Sequence, residues 1–117
     1  MNGLDPGIDL SFLRGREVIQ IAVGLFQVVF AFDEQVSISV ESEFRFSSTD
    51  SCVWQPGAPQ AAAPTLRLLG VRVEEVRGQS DGTLDLIFSN GARLTILDSS
   101  KEFESYNITR PGQTIVV

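Results

Sequence analysis

The chain has no histidine and a single cysteine, Cys52. The first absence removes the commonest general base and the commonest metal ligand. Neither a Ser-His nor a Cys-His nucleophile pair can be assembled, and zinc lacks its usual donors. The second excludes an intrachain disulfide, so the fold needs no oxidising compartment. Cations are also scarce: nine Lys and Arg against fifteen Asp and Glu give a net charge of −6. Nucleic acid and anionic membranes would repel such a chain, and so neither is expected as a partner. Long hydrophobic runs are missing too. The longest, 18–32, is interrupted by Gln20 and Gln27 and is too short for a spanning helix.

Chemical motifs are equally thin. No glycine-rich phosphate loop or dinucleotide fingerprint occurs, and no alternating carboxylate loop for calcium. Asp98, Glu102 and Glu104 are the nearest thing to a cation cluster, without that spacing. Cys52 lies in a stretch with no cation nearby in sequence to lower its pKa. The pairs Glu41/Glu43 and Glu74/Glu75 read as strand-edge solvation. The expectation is a non-enzymatic protein with no cofactor and no metal. Residues 1–11 are polar and acidic and unlike a signal peptide, which points to the cytoplasm.

What the chain does have is β patterning. At 117 residues with 43% hydrophobic content it is expected to form one domain, 1–117. Residues 9–14 read as a short helical turn, with Asp9 as N-cap and Gly15 as the stop. Strands are then predicted at 17–23, 26–32 and 36–46. A two-residue turn at Gly24-Leu25, with Gly24 left-handed, would set Val23 opposite Phe26, Ile21 opposite Val28 and Ile19 opposite Phe30. A three-residue loop at 33–35 sets Phe32 opposite Val36, Phe30 opposite Ile38 and Val28 opposite Val40. One apolar face results. The reverse face, with Val18, Ala22, Val29 and Ala31, is only half polar and would need covering.

Residues 47–64 are rich in Ser, Ala, Pro and Gly and read as a long loop, carrying Cys52 and Trp54. A helical turn at 65–69 ends at Gly70. A strand at 71–77 changes phase at Glu74-Glu75, which predicts a bulge. Of the possible turns at Ser89-Asn90-Gly91, a three-residue loop pairs Phe88 with Ala92, Leu86 with Leu94 and Leu84 with Ile96. That predicts a type I turn followed by a left-handed Gly91. Short strands at 105–109 and 114–117 flank a Pro111-Gly112 turn.

The two halves align at an offset of about 55 residues, a degenerate signal in strand-rich sequence. Leu13-Arg14-Gly15 falls on Leu68-Leu69-Gly70, Val18 on Val73 and Ile21 on Val76. One residue further, Phe30 and Phe32 fall on Leu86 and Phe88. The expected fold is therefore mainly β: two antiparallel three-stranded meanders (half-repeats 9–46 and 65–108) joined by 47–64. With one or two short helices they would form a small sandwich or barrel.

Residues 81–96, with Leu84-x-Leu86-x-Phe88-x-Asn90-Gly91, precede Phe103-Glu104-Ser105-Tyr106. Together they resemble small uncharacterised bacterial proteins that share a domain of unknown function. That resemblance implies a β fold and a bacterial source, and no activity. The functional expectation is a protein-interaction or self-associating domain, a homodimer, with Val18, Ala22, Val29, Ala31 and Trp54 as candidate interface residues. One alternative is an acidic, antitoxin-like protein that meets a basic toxin through Glu41, Glu43, Glu74, Glu75, Glu102 and Glu104. A small-ligand site in a barrel mouth is the other.

Overall fold

In the computed structural model, which describes residues 3–100 and 104–117, ten strands form two five-stranded antiparallel sheets. The first half supplies β1 (Val18–Val23), β2 (Val28–Phe32), β3 (Ser37–Val40), β4 (Glu43–Ser47) and β5 (Ser51–Trp54). The second supplies β6 (Val73–Gly78), β7 (Leu84–Phe88), β8 (Arg93–Leu97), β9 (Tyr106–Arg110) and β10 (Gln113–Val116). A 3-10 segment precedes each half, at Ser11–Leu13 and Pro59–Leu68. Sheet one runs β1-β2-β3-β9-β10 and sheet two runs β5-β4-β8-β7-β6. Each half thus builds three strands of its own sheet and lends its last two to the other.

The halves match residue by residue around a pseudo-twofold axis. The Gly15 N–H donates to the Val73 carbonyl, and the Gly70 N–H to the Val18 carbonyl, both at 2.8 Å. Val18 donates to Val71 as Val73 donates to Arg16. Glu17 and Arg72 form an isolated antiparallel bridge at the axis. Both first strands carry the same bulge, between Val18 and Gln20 and between Val73 and Glu75. Gly15 and Gly70 end the two 3-10 segments at φ 78 and 82, a conformation glycine adopts without the Cβ penalty.

The core lies between the sheets. Phe30 of sheet one meets Phe44 of sheet two edge-on at 5.5 Å, and Trp54 stacks on Phe44 at 5.2 Å. Leu13, Val28, Ile38, Leu84, Leu86, Leu94, Ile96 and Ile108 are fully enclosed around them. At about 25 cal/mol per Å² of apolar area removed from water, this shared layer is the main favourable contribution to folding.

The pairings expected around 33–35 and 89–91 are the ones found. Gly91 is left-handed at φ 86, as a type I turn with a following bulge requires. Four expectations are corrected. The β1–β2 register places Val23 opposite Val28 and Ile21 opposite Phe30, so the loop spans 24–27 and Gly24 is not left-handed. A shift of two residues leaves every side chain on its face, so apolar alternation cannot detect it. The bulge then turns Ile19 outward, 57% exposed, in place of the core position expected for it.

The run 36–46 is two strands, because the chain bends at Glu41-Ser42 and crosses between sheets. Val36, Ile38, Val40, Ser42, Phe44 and Phe46 all stay buried through the bend, so the period of two never breaks. Ser42 is the small inward residue at the corner, and its hydroxyl donates to the Leu97 carbonyl at 2.6 Å.

The stretch 47–64 is no open loop; it contains β5 and most of the second 3-10 segment. Ala62, Thr65 and Leu68 are its buried positions, spaced at the three residues per turn of a 3-10 helix. The N-terminal stretch is tied down from residue 3 onward. The Gly3 N–H donates to Asp98, and Leu4 is buried. Residues 1 and 2 lie outside the described residues, as do Glu102 and Phe103 of the segments singled out above.

Candidate functional site

Val18 and Trp54, two of the five candidate interface residues, are fully buried and cannot form a surface. The bulge rotates Val18 inward to pair with Phe32, and β5 carries Trp54 onto Phe44. Ala22, Val29 and Ala31 do share one outer face. Across sheet one that face reads Gln20-Ala31-Ser37-Thr109-Thr114 and Ala22-Val29-Ser39-Asn107-Val116, ten side chains without a charge.

The outer face of sheet two is built differently. Arg77-Asp85-Thr95-Arg45-Val53 and Glu75-Ile87-Arg93-Ser47-Ser51 are its rows. Asp85 is 2% exposed and sits where sheet one has Val29. Thr95 Oγ1 donates to it at 2.6 Å and Arg93 Nε at 3.1 Å. Burial works against ionisation of Asp85, and these hydrogen bonds, with one from Gln79, outweigh it and hold the carboxyl below its ordinary value.

The hairpin tips that close β1–β2 and β6–β7 also occupy equivalent places. In the second, the Tyr106 hydroxyl donates to the Gly82 carbonyl at 2.7 Å, and Gly82 packs against the Asp98 side chain. Burial pushes the Tyr106 phenol far above its ordinary value. In the first tip, Phe44 occupies the place of Tyr106 and has no hydroxyl to offer. Leu25 and Phe26 project instead, 57% and 63% exposed.

Beside each tip lies a flank made by an edge strand and the 3-10 segment of the other half, Ser11–Leu13 against β6 and Pro59–Leu68 against β1. Beside the second tip it is a cavity of about 390 Å³, lined by Leu4, Ile8, Leu10 and Val76 with Arg14, Ser11, Gln79 and Ser80 among its polar groups. The equivalent positions beside the first tip include Ile21, Val23, Leu25, Leu66 and Leu69. Four of those five are strongly exposed, and Ile19 adjoins them on β1. Sequence reasoning missed this apolar flank because Leu66 and Leu69 read only as part of a short helical turn and Ile19 as core.

The acidic residues do not gather along one edge, contrary to expectation. Glu43 is in β4, one strand in from the β5 edge of sheet two, and is held by Arg45 and Gln55. Glu75 is across that sheet in β6, paired with Arg77 at 2.8 Å. No group of three or more metal-ligating side chains occurs among the described residues. Cys52 is half-buried, and burial raises its thiol pKa, the wrong direction for a nucleophile. No helix among the described residues is long and apolar enough to cross a membrane.

Residues 10–117 match a protein family described as a family of unknown function, DUF6188. No curated protein and no solved structure matches the chain.

Proposed function

We propose, from the premise that the chain belongs to the DUF6188 family, that it is a non-catalytic interaction domain whose partner is a second copy of itself. The observation that carries this reading is the first-half flank and tip. Ile19, Val23, Leu25, Phe26, Leu66 and Leu69 are all more than 40% exposed there. Scattered exposed apolar residues are normal; a concentration along one edge strand and its tip marks an interaction surface.

The uncharged outer face of sheet one offers no acid to steer a basic partner, and so it suits a second copy. Net charge opposes the pairing of two molecules at −6, and on this face that repulsion is least. A stable interface buries about 800 Å² per partner, more than two tip side chains supply. The outer face with Ala22, Val29 and Ala31 therefore joins the contact, and Leu25 and Phe26 are its anchors.

Sedimentation velocity over a concentration series tests it. The expected result is a monomer–dimer equilibrium that Phe26→Asp and Val29→Asp each shift to monomer. A wild-type chain that stays monomeric at high concentration removes the proposal.

A further inference from the structure

We propose that the cavity beside the second tip binds a small molecule with an apolar body and one carboxylate, and that Arg14 receives the carboxylate. The cavity's 390 Å³ falls in the range of small-ligand sites, and apolar and polar groups share its walls about equally. Leu4, Ile8, Leu10 and Val76 supply its apolar side. Gly78 keeps the packing close: a Cβ there would meet Leu4 and Leu10 methyl carbons at 2.9 and 3.0 Å.

The choice of anion rests on Arg14. Arg16, Arg45, Arg67, Arg72, Arg77 and Arg93 are each ion-paired. Arg110 lies over the Phe12 ring at 4.5 Å. Among the described residues, Arg14 alone of the arginines has neither kind of partner, in a chain with an excess of acids. Asp5, the carboxylate lining the same cavity, already accepts from the Gly7 N–H at 3.1 Å.

A free guanidinium presents a planar fork that matches a carboxylate. One cation beside Asp5, on a protein of charge −6, suits a monoanion better than a phosphate dianion. The equivalent of Arg14 beside the first tip is Leu69, so the frame does not demand a cation at this position.

Octanoate is the probe, with octan-1-ol and inorganic phosphate as its neutral and dianionic counterparts. Titration would be followed by calorimetry and by amide chemical shifts, on wild type and on the Phe26→Asp variant so that self-association does not interfere. The expected result is saturable octanoate binding, with shifts confined to residues 4–14 and 76–80. Octan-1-ol should bind at least tenfold more weakly, and Arg14→Gln should weaken octanoate about tenfold while leaving octan-1-ol unchanged. Ile8→Trp, with folding checked by its melting curve, should block octanoate by filling the space. The proposal is overturned by no octanoate binding at millimolar concentration, by Arg14→Gln binding as wild type does, or by phosphate binding where octanoate does not.

Discussion

The two flanks of this molecule share a backbone plan and differ in what they show to water. Around the second tip the chain is tied down: Tyr106 bonds to Gly82, Gly3 bonds to Asp98, and Leu4 and Leu10 close over Gly78. Around the first, the equivalent positions present Leu25, Phe26, Leu66 and Leu69 to solvent. Because the second flank folds without apolar side chains at these places, the fold does not require them at the first. Their presence is a property of the surface, and a duplicated frame supplies its own control for that inference.

The sharpest way to break the comparison is to alter both tips at matched positions. Gly82 has φ 93, and any Cβ placed on it runs into the Asp98 side chain. Gly82→Ala should therefore cost about 3 kcal/mol or more, from combined backbone strain and overpacking. Phe26→Ala, at the equivalent place, removes a far larger side chain, yet should change monomer stability by about 0.5 kcal/mol or less because that ring is exposed. Urea denaturation of both variants under dilute conditions measures the contrast. Similar losses at the two sites would mean that the first tip is structural after all.

The outer faces give a second, smaller contrast. Asp85→Ala leaves the Thr95 hydroxyl and Gln79 amide without their acceptor and should cost about 2 kcal/mol, the worth of hydrogen bonds to a charged group. Val29→Asp, its counterpart on sheet one, enters a solvent-facing row and should cost less than half of that. The carboxyl also fixes a pH signature. The folded-state pKa of Asp85 is lowered, so its stabilisation is complete above the ordinary carboxylate range. It is then lost as pH falls through the lowered folded value. Denaturation midpoints between pH 7 and pH 3 should fall less for Asp85→Asn than for wild type.

How much of this was legible in the sequence follows from which signals are periodic. The duplication, the Glu74-Glu75 bulge and the Gly91 turn all followed from apolar alternation and glycine placement. The β1–β2 register did not, because a two-residue slip preserves faces. The sheet crossing at Ser42 was hidden by an alternation that runs unbroken through the corner. The first part of the second 3-10 segment, 59–64, escaped because the segment buries every third residue, a period that neither the helix nor the strand template contains. Of the candidate surface, Ala22, Val29 and Ala31 were visible as an apolar back face. Leu25 and Phe26 were not, since a two-residue turn would have folded Phe26 into the strand.

The smallest contrast is at the other pair of turns, between β2 and β3 and between β7 and β8. Gly91 takes the left-handed position in the second, whereas Gln35 takes it in the first at φ 60, next to Glu34 at φ 58. A non-glycine residue held in that conformation costs about 1–2 kcal/mol, because its Cβ crowds the following carbonyl. Glycine removes that cost but gives back about 0.5–1 kcal/mol through the greater freedom of the unfolded chain. Gln35→Gly should therefore stabilise the protein by about 0.5 kcal/mol, and Gly91→Gln should destabilise it by about the same amount, both read from denaturation midpoints at constant m. The pair also probes the proposed interface, because 33–36 closes the end of sheet one away from the Leu25–Phe26 tip. If the contact is built on that tip and the outer face beside it, Gln35→Gly raises stability and leaves the sedimentation profile unchanged. A change in self-association would move the contact toward the other end of the sheet.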